Sequence, residues 1–108
     1  MTDTNRIILV VILTVRRSNL DEFRAFERHA ARVMAKYGGA IERTVEVDSL
    51  DDSILKEIHI VAFPDAAQLA MYRRDDELAS FIHLRGASVI TTEILTGRNG
   101  PDYSPRVA

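Results

Sequence analysis

The hydrophobic pattern begins with an almost unbroken apolar run, Ile7 to Val15. Polar residues do not recur in it at any regular spacing, and Arg6 and Arg16 bound it. Its length is about half of the ~20 residues that a membrane-spanning helix needs. Arg16 and Arg17 also stand where a signal peptide would carry a small-residue cleavage site. The run therefore predicts a central β-strand covered on both faces.

A helix is predicted after this strand, because apolar residues then recur at spacings of three and four. They are Phe23, Phe26, Ala30, Val33 and Tyr37. The charged side chains of the segment, Glu27 among them, fall largely outside this stripe. Asn19, with Glu22 three residues later, has the pattern of a capping box. Gly38-Gly39 is expected to end the helix, since glycine adopts the left-handed conformation found at helix C-termini.

The period then drops to two, which indicates a strand from Ala40 to Asp48 with one polar and one apolar face. Ser49 to Ser53 has the composition of a hairpin turn. Ile54 to Phe63 is predicted as the third strand, ended by Pro64. A turn centred between Leu50 and Asp51 would pair Val45 with Lys56 and place Glu42 beside His59.

A second helical segment is predicted from Ala66 to about Arg85, with Asp65 as its N-cap. Four charged residues, 73–76, predict a kink or break in it. Ser88 to Leu95 follows as the last strand. We expect one domain over residues 1–97 and a C-terminal tail over residues 98–108.

The predicted order of strand, helix, strand, strand, helix and strand is that of an α+β, ferredoxin-like βαββαβ fold. Right-handed crossovers would place the first and third strands at the centre of a four-stranded antiparallel sheet. Those two strands are the most apolar in the chain, in agreement with this position. Two helices cover only one face of such a sheet.

The other face is predicted to carry Glu57, His59, Val61 and Phe63, with Glu42 and Thr44 from the neighbouring strand. Such a face is too apolar to be left in water. A second copy of the chain, stacked face to face, is the expected cover, which predicts a homodimer. The polar residues would then line a partly enclosed pocket.

Composition limits the partners. The 108 residues are 46% hydrophobic and 28% charged, with a net charge of −2 and no block of one sign, which gives no signal for nucleic acid or a membrane surface. The chain has no cysteine, which excludes disulfides, thiolate nucleophiles and cysteine-ligated metal centres, and favours the cytoplasm. No HxxxH, HxH, GxGxxG or P-loop spacing occurs, so we expect neither a metal nor a cofactor.

The second half of the chain resembles the short dimeric α+β barrel proteins, in particular a family of uncharacterised function. The resemblance is clearest from Glu57 to Gly97 and rests on a strand ending in Phe-Pro, an alanine-rich helix, an acidic turn and a Leu-Arg pair. These are Phe63-Pro64, Ala66-Ala67, Met71-Tyr72, Asp76-Glu77 and Leu84-Arg85. The family usually has an aromatic residue where this chain has Met71.

The resemblance implies a ferredoxin-like fold and a dimer. The wider superfamily includes antibiotic-biosynthesis-type monooxygenases, muconolactone-isomerase-like enzymes and ligand-sensing domains, so it leaves the chemistry open. Tyr72 and Arg85 match the pattern and are candidates for a phenol donor and an anion-binding group. Each is equally compatible with a structural role.

His59 and Glu57 are the candidate acid–base residues, because they stand two apart on one strand face. A carboxylate that holds an imidazole fixes its tautomer and raises its basicity. Glu42 is predicted opposite His59 and is a candidate for ligand contact. His83, near the end of the second helical segment, is a further candidate. A polar cluster that only stabilises a dimer interface is the competing interpretation.

The resulting hypothesis is a homodimer that binds a small organic molecule between sheet and helices. A cofactor-independent oxygenase, an isomerase and a decarboxylase are the enzyme classes considered. The alternative is a non-enzymatic binding or accessory domain. A haem-binding relative would need His59 or His83 as axial ligand, facing a large cavity.

Overall fold

The computed structural model describes residues 6–105. Its four strands are β1 (Ile7–Arg16), β2 (Ala40–Val47), β3 (Ile54–Phe63) and β4 (Val89–Gly97). Its helices are α1 (Leu20–Ala35), α2 (Ala66–Arg73), α3 (Asp76–Ser80) and α4 (Ile82–Ser88). A 3₁₀ turn, Arg17–Asn19, joins β1 to α1. No helix in the described part of the chain is long and apolar enough to cross a membrane.

The strands form one antiparallel sheet in the order β2-β3-β1-β4. This confirms the predicted element order and the central position of the first and third strands. Helices α1 and α2 pack on one face of the sheet, where two clusters form the core. One consists of Leu9, Met34, Val61, Phe63 and Leu69, and the other of Leu13, Val15, Phe23 and Leu55.

Two of the predicted helix boundaries are confirmed. Gly38 has φ of +73°, the left-handed conformation that ends α1. Asp65 caps α2 by accepting a hydrogen bond from the Gln68 backbone N–H at 2.8 Å. The second helical segment breaks at Arg74-Asp75 as predicted, and it breaks again at Phe81, which the sequence pattern did not indicate.

The predicted capping box was wrong. Asn19 precedes α1, but its side chain caps no backbone N–H of the helix. The reason is the 3₁₀ turn over Arg17–Asn19, which leads directly into the first helical turn. The Asn19 side chain instead accepts a hydrogen bond from the Ser18 hydroxyl at 3.0 Å.

The predicted β2–β3 register was also wrong. Val45 pairs with Ile58 rather than Lys56, and Thr44, not Glu42, lies beside His59. The pairing shifts between Ile41 and Arg43, so that Glu42 falls at a β-bulge. The register error itself comes from the turn, whose centre lies between Asp51 and Asp52 rather than between Leu50 and Asp51. Val45 and Arg43 therefore pair two positions further along β3 than predicted.

The two faces of the sheet were assigned the wrong way round. Glu57, His59, Val61 and Phe63 are buried beneath the helices. The alternation of β2 led to the wrong assignment because β2 is an edge strand. On its helix side, Glu46 forms an ion pair with Arg24 of α1, in which Arg24 Nη2 is 3.4 Å from Glu46 Oε1. Helix-side positions of an edge strand are polar when the flank of the helix above them is charged.

The open face of the sheet, on the side away from the helices, is also apolar, but with other residues than those predicted for it. The alternation of side chains along the paired strands gives its apolar members as Ile8, Val10, Ile12, Val45, Val47, Ile54, Ile58, Ile60 and Leu95. Val45 is 37% exposed and Leu95 is 52% exposed. Arg43, Lys56 and Glu93 bring charge to it. We call these residues together the open face.

Residues 98–105 form no helix or strand. The start of the predicted domain, residues 1–5, and the end of the tail, residues 106–108, lie outside the described residues.

Candidate functional site

A cavity of about 210 Å³ lies between the sheet and the helices. Its floor is the helix side of β1, β3 and β4, and its walls come from α1, α2, α3 and α4. Most of its lining is apolar: Leu9, Val11, Leu13, Phe26, Ala30, Met34, Val61, Phe63, Leu69, Leu78, Ile82 and Ile94. The polar lining residues are Glu27, His59, Tyr72, Arg73, Arg85 and Thr92. Apolar walls with a few polar groups are typical of small-molecule sites.

The helices above the cavity are tied to each other by side chains outside it. The Tyr37 hydroxyl, just after α1, donates a hydrogen bond to Asp75 Oδ2 at 2.6 Å. Asp75 also caps α3, accepting from the Leu78 backbone N–H at 3.1 Å. His29 of α1 stacks on Phe81, with ring centroids 3.8 Å apart and planes 3° from parallel. These contacts hold α3 and α4 against α1.

His59 lies between two glutamates. On the same strand, Glu57 Oε1 is 2.6 Å from Nε2 of His59, a short, charge-assisted hydrogen bond. From α1, Glu27 Oε2 is 3.5 Å from Nδ1. His59 and Glu57 are 3% and 7% exposed, so the bond between them is shielded from water. His59 and Glu27 line the cavity, whereas Glu57 is not among its lining residues.

This arrangement defines the two nitrogens of the imidazole. With Glu57 ionised, it accepts the Nε2 proton, and Nδ1 is then the unprotonated nitrogen of a neutral ring. Nδ1 is also the nitrogen on the Glu27 side. The imidazole therefore presents a lone pair towards the groups that line the cavity, supported by a carboxylate at its other nitrogen.

Glu27 and Tyr72 are both shifted towards their protonated forms. Burial raises the pKa of Glu27 above its ordinary value; the charge of His59 opposes this, nearby Glu57 adds to it, and Arg85 opposes it. Burial also raises the pKa of Tyr72, and the charge of Glu27 adds to that effect. The phenol is therefore a hydrogen-bond donor over the whole physiological pH range.

Arg85 is placed at the same end of the cavity by α4. Its Nη2 donates a hydrogen bond to the Thr92 hydroxyl of β4, and both residues line the cavity. The Tyr72 ring packs on Phe63 with centroids 5.3 Å apart. This contact orients the Tyr72 ring, and none of the side-chain hydrogen bonds within residues 6–105 involves its hydroxyl.

The structure brings together four of the six side chains singled out from the sequence: His59, Glu57, Tyr72 and Arg85. It does not bring the other two there. Glu42 is exposed at the β-bulge and forms an ion pair with Arg6. His83 is exposed on α4 and does not line the cavity.

Glu27 is the residue that the sequence analysis missed. It was placed on the solvent side of the first helix, although it stands four residues after Phe23 and three before Ala30, both of which are buried. A charged residue at this spacing is at the edge of the apolar stripe and was the available signal. The structure shows its carboxyl group at the cavity wall.

Within residues 6–105, no group of three or more His, Asp or Glu side chains has an arrangement that would hold a metal ion. His59 Nε2 already bonds to Glu57, and His83 is outside the cavity. Among the described residues, neither His59 nor His83 therefore has a free imidazole Nε2 that faces a large cavity, as an axial haem ligand would need.

Solved structures share this architecture over nearly the whole chain. A protein of unknown function from Rhodopseudomonas palustris is 15% identical, with a TM-score of 0.76, and the alignment covers 91% of this chain and 85% of that one. For the cofactor-independent oxygenase SnoaB from Streptomyces nogalater the identity is 15%, the TM-score 0.70 and the coverage 94% and 100%. The chain has a ferredoxin-like α+β fold.

A candidate antibiotic biosynthesis monooxygenase from Nitrosomonas europaea is similar in the same way, at 13% identity, a TM-score of 0.66 and 92% coverage of each chain. No protein-family model and no curated protein sequence matches the chain. Identities this low establish the fold alone.

Proposed function

We propose that the cavity binds a small organic molecule and that His59, held by Glu57, acts on it as an acid–base residue. The observation that carries this proposal is the placement of His59: one nitrogen is bonded to a buried carboxylate at 2.6 Å, and the ring lines a largely apolar cavity. A carboxylate behind an imidazole stabilises the imidazolium that forms when the ring takes up a proton.

The size and lining of the cavity limit the ligand. An apolar cavity of about 150 Å³ binds benzene, so 210 Å³ accommodates a molecule of one or two rings. Its body would contact the aliphatic and aromatic walls. A hydroxyl or carbonyl oxygen would lie at the polar end, within reach of donors on Tyr72 and Arg85.

The first chemical step that this site supports is removal of a proton from a phenol or from a carbon beside a carbonyl. Isomerisation needs only that step and its reverse at another atom. Oxygenation of the same anion needs molecular oxygen as co-reactant as well. SnoaB, which shares the fold, is a cofactor-independent oxygenase. The proposal therefore includes both reaction types.

A non-enzymatic binding domain is the second candidate. The near-complete burial of His59 and Glu57 favours it, because a satisfied buried pair is also a common structural feature. In that case the cavity would bind its ligand without changing it.

The test is a thermal-shift screen of phenols, lactones and ring ketones, followed by His59→Ala with each compound that binds. We expect a binding compound to raise the melting temperature of the wild type. It should raise that of His59→Ala much less, because the variant lacks the polar contact at the end of the cavity. His83→Ala, which removes an exposed imidazole, should behave as the wild type.

Equal ligand-induced shifts in wild type and His59→Ala would contradict the role of His59. The absence of any binding compound would contradict the cavity as a ligand site. Binding without turnover in the wild type would leave the binding domain as the function.

We also propose that the protein is a cytoplasmic homodimer joined through the open face. The face carries apolar side chains from all four strands, and Val45 and Leu95 are 37% and 52% exposed; contiguous exposed apolar surface marks an interaction site. A two-fold pair of identical faces is the commonest way to cover such a surface. Light scattering of the purified protein tests this directly: a mass of one chain at micromolar concentration would contradict it. The cytoplasm is proposed from the cysteine-free sequence.

A further inference from the structure

Glu27 has a position that the proposed acid–base pair does not explain. Its side chain is 18% exposed, reaches the cavity from α1 and makes no hydrogen bond to any described residue. Among those residues its only ion-pair contact is Nδ1 of His59, at 3.5 Å. That separation is longer than a hydrogen bond from a carboxyl group. The carboxyl group is therefore available to a ligand.

Proton counting shows what its charge state should be. Two arrangements of one added proton can be compared, starting from a neutral imidazole and two carboxylates. If the proton is on His59, the cluster holds three charges: an imidazolium and the carboxylates of Glu57 and Glu27. If it is on Glu27, the cluster holds one charge, the carboxylate of Glu57, and the imidazole is neutral. Burying three charges costs far more than burying one. The 3.5 Å gap removes the hydrogen bond that would have compensated a charged His59–Glu27 pair.

The pKa of Glu27 is shifted in the same direction. Burial raises it, and the carboxylate of Glu57 adds to the increase against the opposing charges of His59 and Arg85. The cavity wall then presents an acid, Glu27, beside a base, Nδ1 of His59.

We infer that Glu27 is a second catalytic residue: its carboxylic acid gives a proton to the carbonyl oxygen of a one- or two-ring ketone while Nδ1 of His59 takes one from the adjacent carbon. The site would thus interconvert keto and enol forms. This inference rests on the proposed function, since it requires the same cavity and the same base.

The distances suit this reaction. In a ketone, the carbonyl oxygen and the adjacent carbon are about 2.4 Å apart, from the C=O and C–C bond lengths. The donor and acceptor atoms of the protein are 3.5 Å apart. One molecule can therefore place its oxygen near Glu27 and its acidic C–H near His59. The Tyr72 hydroxyl, free of protein hydrogen bonds in the described residues, supplies a second donor to the oxygen.

Atoms and electrons balance without a co-reactant. The C–H bond breaks, its electron pair forms the C=C bond, and the C=O π pair forms the new O–H bond with the proton from Glu27. His59 becomes imidazolium and Glu27 a carboxylate. Transfer of a proton from the imidazolium to Glu27, directly or through water, restores the starting state.

The experiment follows deuterium uptake by 2-indanone, a two-ring ketone, at its α-carbons in D₂O by proton NMR. The wild type should exchange these protons well above the buffer rate. Glu27→Gln keeps the shape and a hydrogen-bond donor but cannot transfer a proton, so its kcat should fall about 100-fold with little change in affinity. Glu22→Gln, the same substitution on α1 outside the cavity, is the control and should match the wild type.

The pH profile separates a catalytic role from a structural one. The groups that face Glu27 are Glu57 and His59 on β3, Tyr72 on α2 and Arg85 on α4. Exchange requires protonated Glu27, so the wild-type rate should fall as pH rises through the pKa of Glu27, which burial raises. Glu27→Gln should lose this fall at high pH.

Each result bears on the inference. If 2-indanone binds but Glu27→Gln exchanges as fast as the wild type, or both have the same alkaline limb, Glu27 is not the acid. If phenols bind and 2-indanone does not, the inference fails while the proposed function stands. If no compound binds, both fail.

Discussion

Replacing Gly39 by alanine is expected to lower the free energy of unfolding by about 2 kcal/mol. A Cβ atom at this position would come within 2.7 Å of three ring atoms of Phe63. Real Cβ atoms essentially never come that close, so the ring or the backbone must move. Phe63 is 1% exposed and packs in the core with Val61 and Leu69, which leaves the ring little room. The effect is steric, because Gly39 does not have a positive φ.

Gly86→Ala is the matched control, since it makes the same chemical change where no atom lies within 4 Å. Gly86 is inside α4, so alanine should raise the stability by about 0.5–1 kcal/mol through its higher helix propensity. Urea unfolding of both variants measures the difference. Equal midpoints for the two would contradict the close packing of Phe63 against Gly39.

Phe63 also lines the cavity proposed for the ligand. A shift of its ring away from a Cβ atom at residue 39 would change the shape of that cavity. Gly39→Ala should therefore also weaken ligand binding, and Gly86→Ala should not. Stability and binding are linked here through a single aromatic side chain.

The fold was predictable because its signals are local and agree with one another. The apolar run from Ile7 to Val15 became a central strand, Gly38 ended α1 and Asp65 capped α2. Strand order then followed from the handedness of the crossovers. None of these inferences required knowledge of which side of the sheet the helices cover.

The faces could not be assigned from the sequence because both are apolar. Along β3 the even positions carry Ile54, Ile58 and Ile60, and the odd positions carry Val61 and Phe63. The polar residues of β2 were used to decide between the two faces. In an edge strand, however, the polarity of the helix-side positions depends on the side chains at the flank of the neighbouring helix. The contact of Glu46 with Arg24 appears only when the helix is in place.

The same reasoning explains which site residues were found. Glu57 and His59 stand two positions apart on a strand, and their direct bond follows from that spacing. Tyr72 and Arg85 came from the resemblance. Glu27 comes from another element and meets His59 only through tertiary packing. The turn centre that moved Glu42 away from His59 is likewise invisible in a regular alternation.

The wrong face assignment changes the dimer hypothesis in a useful way. The open face does not contain the histidine, so the proposed dimer interface and the cavity lie on opposite sides of the sheet. Ile58 and His59 are neighbours on β3 that point to these opposite sides. Dimerisation and ligand binding can therefore be altered separately.

Ile58→Lys is expected to weaken the homodimer at least about 100-fold, which corresponds to about 2.8 kcal/mol. Ile58 lies between Ile12 and Val45 near the middle of the open face. Covering an ammonium group there without a partner is costly, and the two-fold symmetry places two such groups in each interface. The separated chain should stay folded, because residue 58 then faces water. Sedimentation equilibrium measures the dissociation constant, and circular dichroism checks the fold.

Leu50→Lys is the control for the Ile58 variant, because Leu50 is fully exposed in the β2–β3 turn, away from the middle of the open face. It makes the same change of charge and should leave the dimer unchanged. Equal dissociation constants for the two variants would place the interface elsewhere. If Ile58→Lys is monomeric and still binds the ligand, the cavity is complete within one chain. We expect this result, because a single copy provides the whole described lining, from three strands and from α1, α2, α3 and α4. Loss of binding on dissociation would instead show that the second copy supports the floor of the cavity through the shared sheet.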